Sequence, residues 1–70
     1  MNVVLELIGR DSWSRPVYCH GSRLYVDVCP ISDKEPELFT KQGNSLDGEP
    51  CDPINPAYSV TFSPERDTWR

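Results

Sequence analysis

The side chains of this chain best suited to chemistry are three cysteines and one histidine, Cys19, His20, Cys29 and Cys51, and the carboxylates Asp47, Glu49 and Asp52 in the segment LDGEPCDP. A structural zinc site wants four nitrogen or sulfur ligands converging tetrahedrally, usually delivered as cysteine pairs two to four residues apart. The chain has no such pair. Cys19 and His20, adjacent in an extended run, would also point to opposite sides of a strand. No metal ligand set is expected. The same alternation denies His20 its nearest thiol, so a Cys–His nucleophile would have to recruit Cys29 or Cys51 together with an orienting third group. The three acids resemble a calcium loop only loosely, because the EF-hand order of acids around a fixed glycine with a closing glutamate is missing. They read as a solvated turn, with Asp47-Gly48 as the turn pair and Pro50, Pro53 and Pro56 stiffening the next stretch of chain. Paired acids can perform acid–base work, but a chain this short has little volume for a substrate pocket. The inventory predicts a protein that is not an enzyme, with no catalytic residues and no cofactor.

At 70 residues the chain is one domain spanning 1–70, and such a domain buries only roughly 60% of the surface its unfolded form exposes. A core of that size rarely supplies more than about 3–5 kcal/mol, so staples or partners matter. The odd number of cysteines, with no secretory signature at MNVVLELIGRD, suggests reduced thiols and a cytoplasmic protein. A Cys29–Cys51 disulfide stays open as an alternative. No apolar run approaches the roughly 18–20 residues needed to span a bilayer. The net charge is −4, and its distribution is uneven: residues 30–56 hold six acids against two lysines, while the rest of the chain is balanced. That argues against direct nucleic-acid binding, which needs a basic footprint to neutralise phosphates.

Among the elements that must carry these groups, the clearest is Arg15 to Val28, RPVYCHGSRLYVDV, two alternating runs joined at Gly21-Ser22. Glycine can take the positive φ of the first position of a type II′ turn, so the segment predicts a β-hairpin with strands 16–20 and 23–28. This turn pairs His20 with Arg23, Cys19 with Leu24, Tyr18 with Tyr25 and Val17 with Val26. Val17, Cys19, Leu24, Val26 and Val28 are then the expected core face. Tyr18, His20, Arg23, Tyr25 and Asp27 are the expected outer face. Asn2 to Ile8 and Tyr58 to Phe62 read as two further strands, and Trp13 is placed to cover an open end of the core.

Residues 30–56 hold five of the seven prolines, which forbids a long regular element. Residues 36–42 fit either a short helix, with Ser32 and Glu35 as a capping box and Gly43 as its end, or a short strand. The segment either packs through Ile31, Leu38, Phe39, Leu46 and Ile54 or is mobile. The tail 64–70 is expected to fray, with Trp69 as a residue that can fold back. The fold expected is mainly β, as a small β or α+β domain: an antiparallel or mixed sheet of three to four strands around the hairpin 16–28, a long acidic Pro-rich loop, and at most one short helix near 36–42.

WSRPVY, LYVDVCP and NSLDGEPCDPI, in this order and spacing, resemble short proteins of unknown function from Firmicutes and other gut bacteria and their phages or mobile elements. The resemblance spans about Gly9 to Ile54 and implies a stand-alone bacterial protein with a shared DGEP-type loop. It brings no catalytic residues. The functional expectation is a module that binds another protein through Tyr18, Tyr25 and Arg23 of the hairpin and through Asp47, Glu49 and Asp52, in one version as an acidic inhibitor of a basic or nucleic-acid-handling partner. The alternative is a metal- or small-ligand-binding domain using Cys29, Cys51 and the DGEPCD loop. Pairing of two copies through an edge strand is a third possibility.

Overall fold

The computed structural model describes residues 1–69. It is a single mixed sheet of six strands with almost no helix: β1 (Asn2–Arg10), β2 (Pro16–His20), β3 (Arg23–Asp27), β4 (Leu38–Lys41), β5 (Pro50–Pro53) and β6 (Ser59–Ser63), with a 3-10 turn at Gln42–Asn44. Across the sheet the order is β5-β4-β3-β2-β1-β6. Every neighbouring pair is antiparallel except β1 and β6, which run parallel from Asn2 opposite Ser59 to Glu6 opposite Ser63.

The hairpin forms in the register its turn dictates, with Tyr18 opposite Tyr25 and His20 opposite Arg23, and Gly21 takes φ 61° at the first central position. Its two faces differ from the expectation. Tyr18 is fully buried and Tyr25 nearly so, in one cluster with Val3, Leu5 and Leu38, and Leu7, Ile54, Tyr58, Val60 and Phe62 pack against it. The Tyr18 and Phe62 rings lie 4.9 Å apart at 56°, a tilted geometry that aromatic pairs favour. Asp27, on the same face, is also buried. On the opposite face Val17 and Val26 are buried as expected, but Cys19, Leu24 and Val28 are only half-buried. The principal core therefore lies on the tyrosine face, because the larger rings meet β1 and β6 there.

Two strands come from the Pro-rich segment, which accounts for the sheet having six rather than three to four. Residues 38–41 settle as a strand and not a helix, pairing with β3. Residues 50–53 pair with β4 as the sheet's outer strand. Proline is tolerated at an edge because the missing N–H faces away from the ladder. Residues 64–69 of the expected tail lie back on the sheet: Arg66 reaches Asp27, the Asp67 N–H donates to the Tyr18 hydroxyl at 2.8 Å, and the Trp69 N–H donates to the Pro30 carbonyl. Arg70, the last residue of that expected tail, lies outside the described residues.

Chain length forces the sheet to curl. The outer strands of a flat six-stranded sheet would stand about 24 Å apart, five spacings of about 4.8 Å. The link from Pro53 to Ser59 reaches at most about 21 Å when extended, and it contains a turn closed by the Tyr58 N–H on the Asn55 carbonyl. The two edges therefore approach each other around the core. Between them lies a cleft of about 590 Å³ lined by Leu38, Ile54, Pro56, Tyr58, Val60 and Phe62, with Glu35 and Pro36 also lining it.

Candidate functional site

Asp11 follows directly on β1, and five residues, DSWSR, turn the chain into β2. A turn this short leaves backbone groups without ladder partners, and the Asp11 carboxylate collects them. Its Oδ1 accepts the N–H groups of Trp13 at 3.0 Å and Arg15 at 2.9 Å. Its Oδ2 accepts Arg15 Nε at 3.0 Å and Lys41 Nζ at 2.9 Å. The backbone closes the same turn twice more, Asp11 N–H to the Arg15 carbonyl and Ser14 N–H to the Asp11 carbonyl, with Ser14 held at φ 61°. The side chains of Asp11 and Lys41 are essentially inaccessible to water. Burial pushes the Asp11 carboxyl up, but the bonds from Lys41 and Arg15 outweigh it and hold the group below its ordinary value, so it stays ionised.

Two further contacts clamp the turn from either side. Asp47 Oδ1 accepts the Ser12 N–H at 2.9 Å, which brings the acidic segment against the loop. Trp69 Nε1 donates to the Ser14 carbonyl at 2.7 Å, which brings the tail against the other side. In the middle of this fixed backbone Trp13 is 69% exposed, so it does not cover the core end as expected. The Arg15 guanidinium carbon sits 5.3 Å from its ring centroid, within cation–π range. Trp69 and Leu46, on the two clamping segments, are also exposed large apolar side chains. An indole on a rigid turn, next to a cation and an acid, has the makings of an anchor: binding it costs little backbone ordering.

The residues singled out from the sequence divide. Tyr18 and Tyr25 are buried and therefore unavailable to a partner, a correction that comes from the inverted faces. Arg23 is exposed beside the hairpin turn. Asp47, Glu49 and Asp52 are all exposed, and Asp47 is the one joined to the Trp13 turn. Since Lys41 is buried on Asp11, the surface of residues 30–56 keeps all six acids and only Lys34 as an exposed cation.

Cys29 is half-buried between Asp27 and Arg66, which hold its N–H and carbonyl. Cys51 is exposed on β5, and all three cysteines are free thiols. Among the described residues no three His, Cys, Asp or Glu side chains are placed to hold a metal ion. His20 Nδ1 lies 3.2 Å from the Val4 carbonyl oxygen, and Cys19 points to the other face, so no nucleophile–base pair forms there. Asp27 is a second buried hub that sequence reasoning placed outside. It accepts the N–H groups of Cys29 and Glu37 and Arg66 Nε, while Arg66 Nη1 and Nη2 donate to the carbonyls of Lys34 and Cys29. These bonds pin the β3–β4 link to the tail. Comparison of the chain with protein-family models, with curated proteins and with solved structures finds no match in any of the three.

Proposed function

We propose that this protein is a non-enzymatic protein-binding module that inserts Trp13 into an apolar slot of a partner, with Asp47 and the neighbouring acids meeting a basic rim around that slot. The observation that supports the reading is a 69% exposed indole on a turn whose backbone is fixed by a buried carboxylate. Tryptophan is the residue most enriched among binding hot spots, and hot spots sit in well-packed centres ringed by polar groups. The exposed acids would speed encounter with a basic surface by steering. One form of this activity is inhibition of a nucleic-acid-handling partner by occupying its basic groove. A bacterial or mobile-element origin rests on the sequence resemblance alone, and a cytoplasmic location on the thiol count. No helix among the described residues is long and apolar enough to cross a membrane.

The test is quantitative capture of a partner from source-cell extract by wild type and by Trp13→Ala. A hot-spot truncation of about 2 kcal/mol or more weakens binding about thirtyfold. Recovery should also fall as salt rises, through loss of the acidic rim. Equal recovery by the two proteins would overturn the proposal.

A further inference from the structure

The two edges of the sheet are defended unequally. β5 begins and ends with proline and carries Asp52, and proline and charge are two of the devices by which natural sheets discourage edge pairing. β6, Ser-Val-Thr-Phe-Ser, has no proline and no charge between Ser59 and Ser63.

The hydrogen bonding of β6 shows which groups it leaves free. The Ser59 N–H donates to the Met1 carbonyl at 2.7 Å, and Ser59 opens the parallel register with β1. In a parallel strand alternate residues bond to the same neighbour, so Ser59, Thr61 and Ser63 turn their backbone groups to β1. Val60 and Phe62 turn theirs to the outside. These four groups, two N–H and two C=O, are spaced for a two-fold operation. If a second β6 approaches antiparallel with the axis at Thr61, Val60 stands opposite Phe62 of the other copy and Phe62 opposite its Val60. Each is a pair that exchanges both bonds, so all four outward groups of each copy are satisfied.

The side chains agree with this register. Val60 opposite Phe62 is a β-branched–aromatic pair, and Thr61 opposite itself is a threonine pair, both favourable across antiparallel strands. Val60 and Phe62 are half-buried on the core side and line the cleft, so pairing would extend one apolar layer into the next copy. The strand contributes no charge to the contact, although the chain carries −4. The isologous character is intrinsic, because one strand supplies both halves of the interface.

We infer that β6 is a homodimerisation edge: two copies pair antiparallel about Thr61 through the outward backbone groups of Val60 and Phe62, joining two six-stranded sheets into one. This surface is separate from the Trp13 turn, and its failure would leave the binding proposal standing.

Sedimentation of the full chain over a concentration series tests it. Wild type should reach twice its 8.0 kDa mass as concentration rises. Thr61→Lys, at an exposed position, sets two ammonium groups face to face at the axis and should raise the dimer dissociation constant at least tenfold, with the monomer's circular dichroism unchanged. Asp52→Lys on β5 should leave the dimer as in wild type. A synthetic chain N-methylated at Phe62 removes one outward donor without touching the β1 ladder and should also be monomeric, which keeps the test decisive if Thr61→Lys fails to fold. A wild type that stays at 8.0 kDa throughout, one that grows past two copies into open assemblies, or an N-methylated chain that dimerises like wild type would each overturn the inference.

Discussion

The Asp11–Lys41 pair holds the turn that presents Trp13, and replacing Asp11 by Asn isolates its charge from its shape. Asn keeps an oxygen for the Trp13 and Arg15 N–H groups but leaves the Lys41 ammonium, with no side-chain exposure, facing a neutral amide. Breaking a buried pair by removing one partner costs about 3–5 kcal/mol, because an uncompensated charge stays in the interior. A 70-residue domain at about 0.05–0.15 kcal/mol per residue has only about 4–10 kcal/mol in total. The variant should therefore lose a large part of its stability. At about 4–8 °C per kcal/mol for a domain of this size, its midpoint falls by about 12 °C or more. Replacing both partners, Asp11→Asn with Lys41→Met, removes the stranded charge and fills its volume with an apolar chain of similar length, and should recover at least half of the loss. Denaturant unfolding of the four proteins at neutral pH, as a double-mutant cycle, gives the coupling directly. A single variant costing less than about 1 kcal/mol, or a double variant no more stable than Asp11→Asn, would refute the claim that this ion pair holds the turn.

Acid should unfold the protein from a definite direction. Asp11 and Asp67 both sit below their ordinary 3.8 in the fold, Asp11 through Lys41 and Arg15 against the effect of burial and Asp67 chiefly through Arg10. A carboxyl lowered in the folded state binds fewer protons there than in the unfolded chain, so its stabilisation is complete above the unfolded pKa and disappears as pH falls through the folded one. Unfolding free energy should drop steadily below about pH 4, with a shallower slope in Asp11→Asn; a rise on acidification would contradict the assignment. Gly48→Ala should be severely destabilising, because a Cβ at that position would land on the Gln42 carbonyl oxygen, in a turn closed by Gln42 N–H on Glu49 and Gly48 N–H on Ser45. Backbone must move to admit the methyl, at a cost of about 2 kcal/mol or more, and a melt within a degree of wild type would show that the 42–49 turn is loose enough to yield.

The hairpin was legible because its turn chemistry is local: Gly21 settles the register without reference to the rest of the chain. The faces were not, because both carry alternating bulky residues and a small curled sheet covers both. The choice between valines and tyrosines depends on Phe62 and the 64–69 tail, some 40 residues away in sequence. β5 was hidden by its prolines, which disfavour a strand in a sheet's interior but not at its edge. The Trp13 turn carried a partial signal, since aspartate before a short polar segment often gathers backbone N–H groups. Its partner Lys41 lies 30 positions away, and no local pattern announces that pairing.

Photo-crosslinking from position 13 asks whether the exposed indole meets another protein. With a photoreactive phenylalanine in place of Trp13, irradiation in the source cell should yield one dominant adduct with another protein, suppressed by excess wild type and not by excess Trp13→Ala. The same group at Val4, an exposed residue of β1, should not give it. Adducts only to a second copy of the chain, or an adduct that Trp13→Ala competes away as well as wild type does, would contradict a binding role for Trp13.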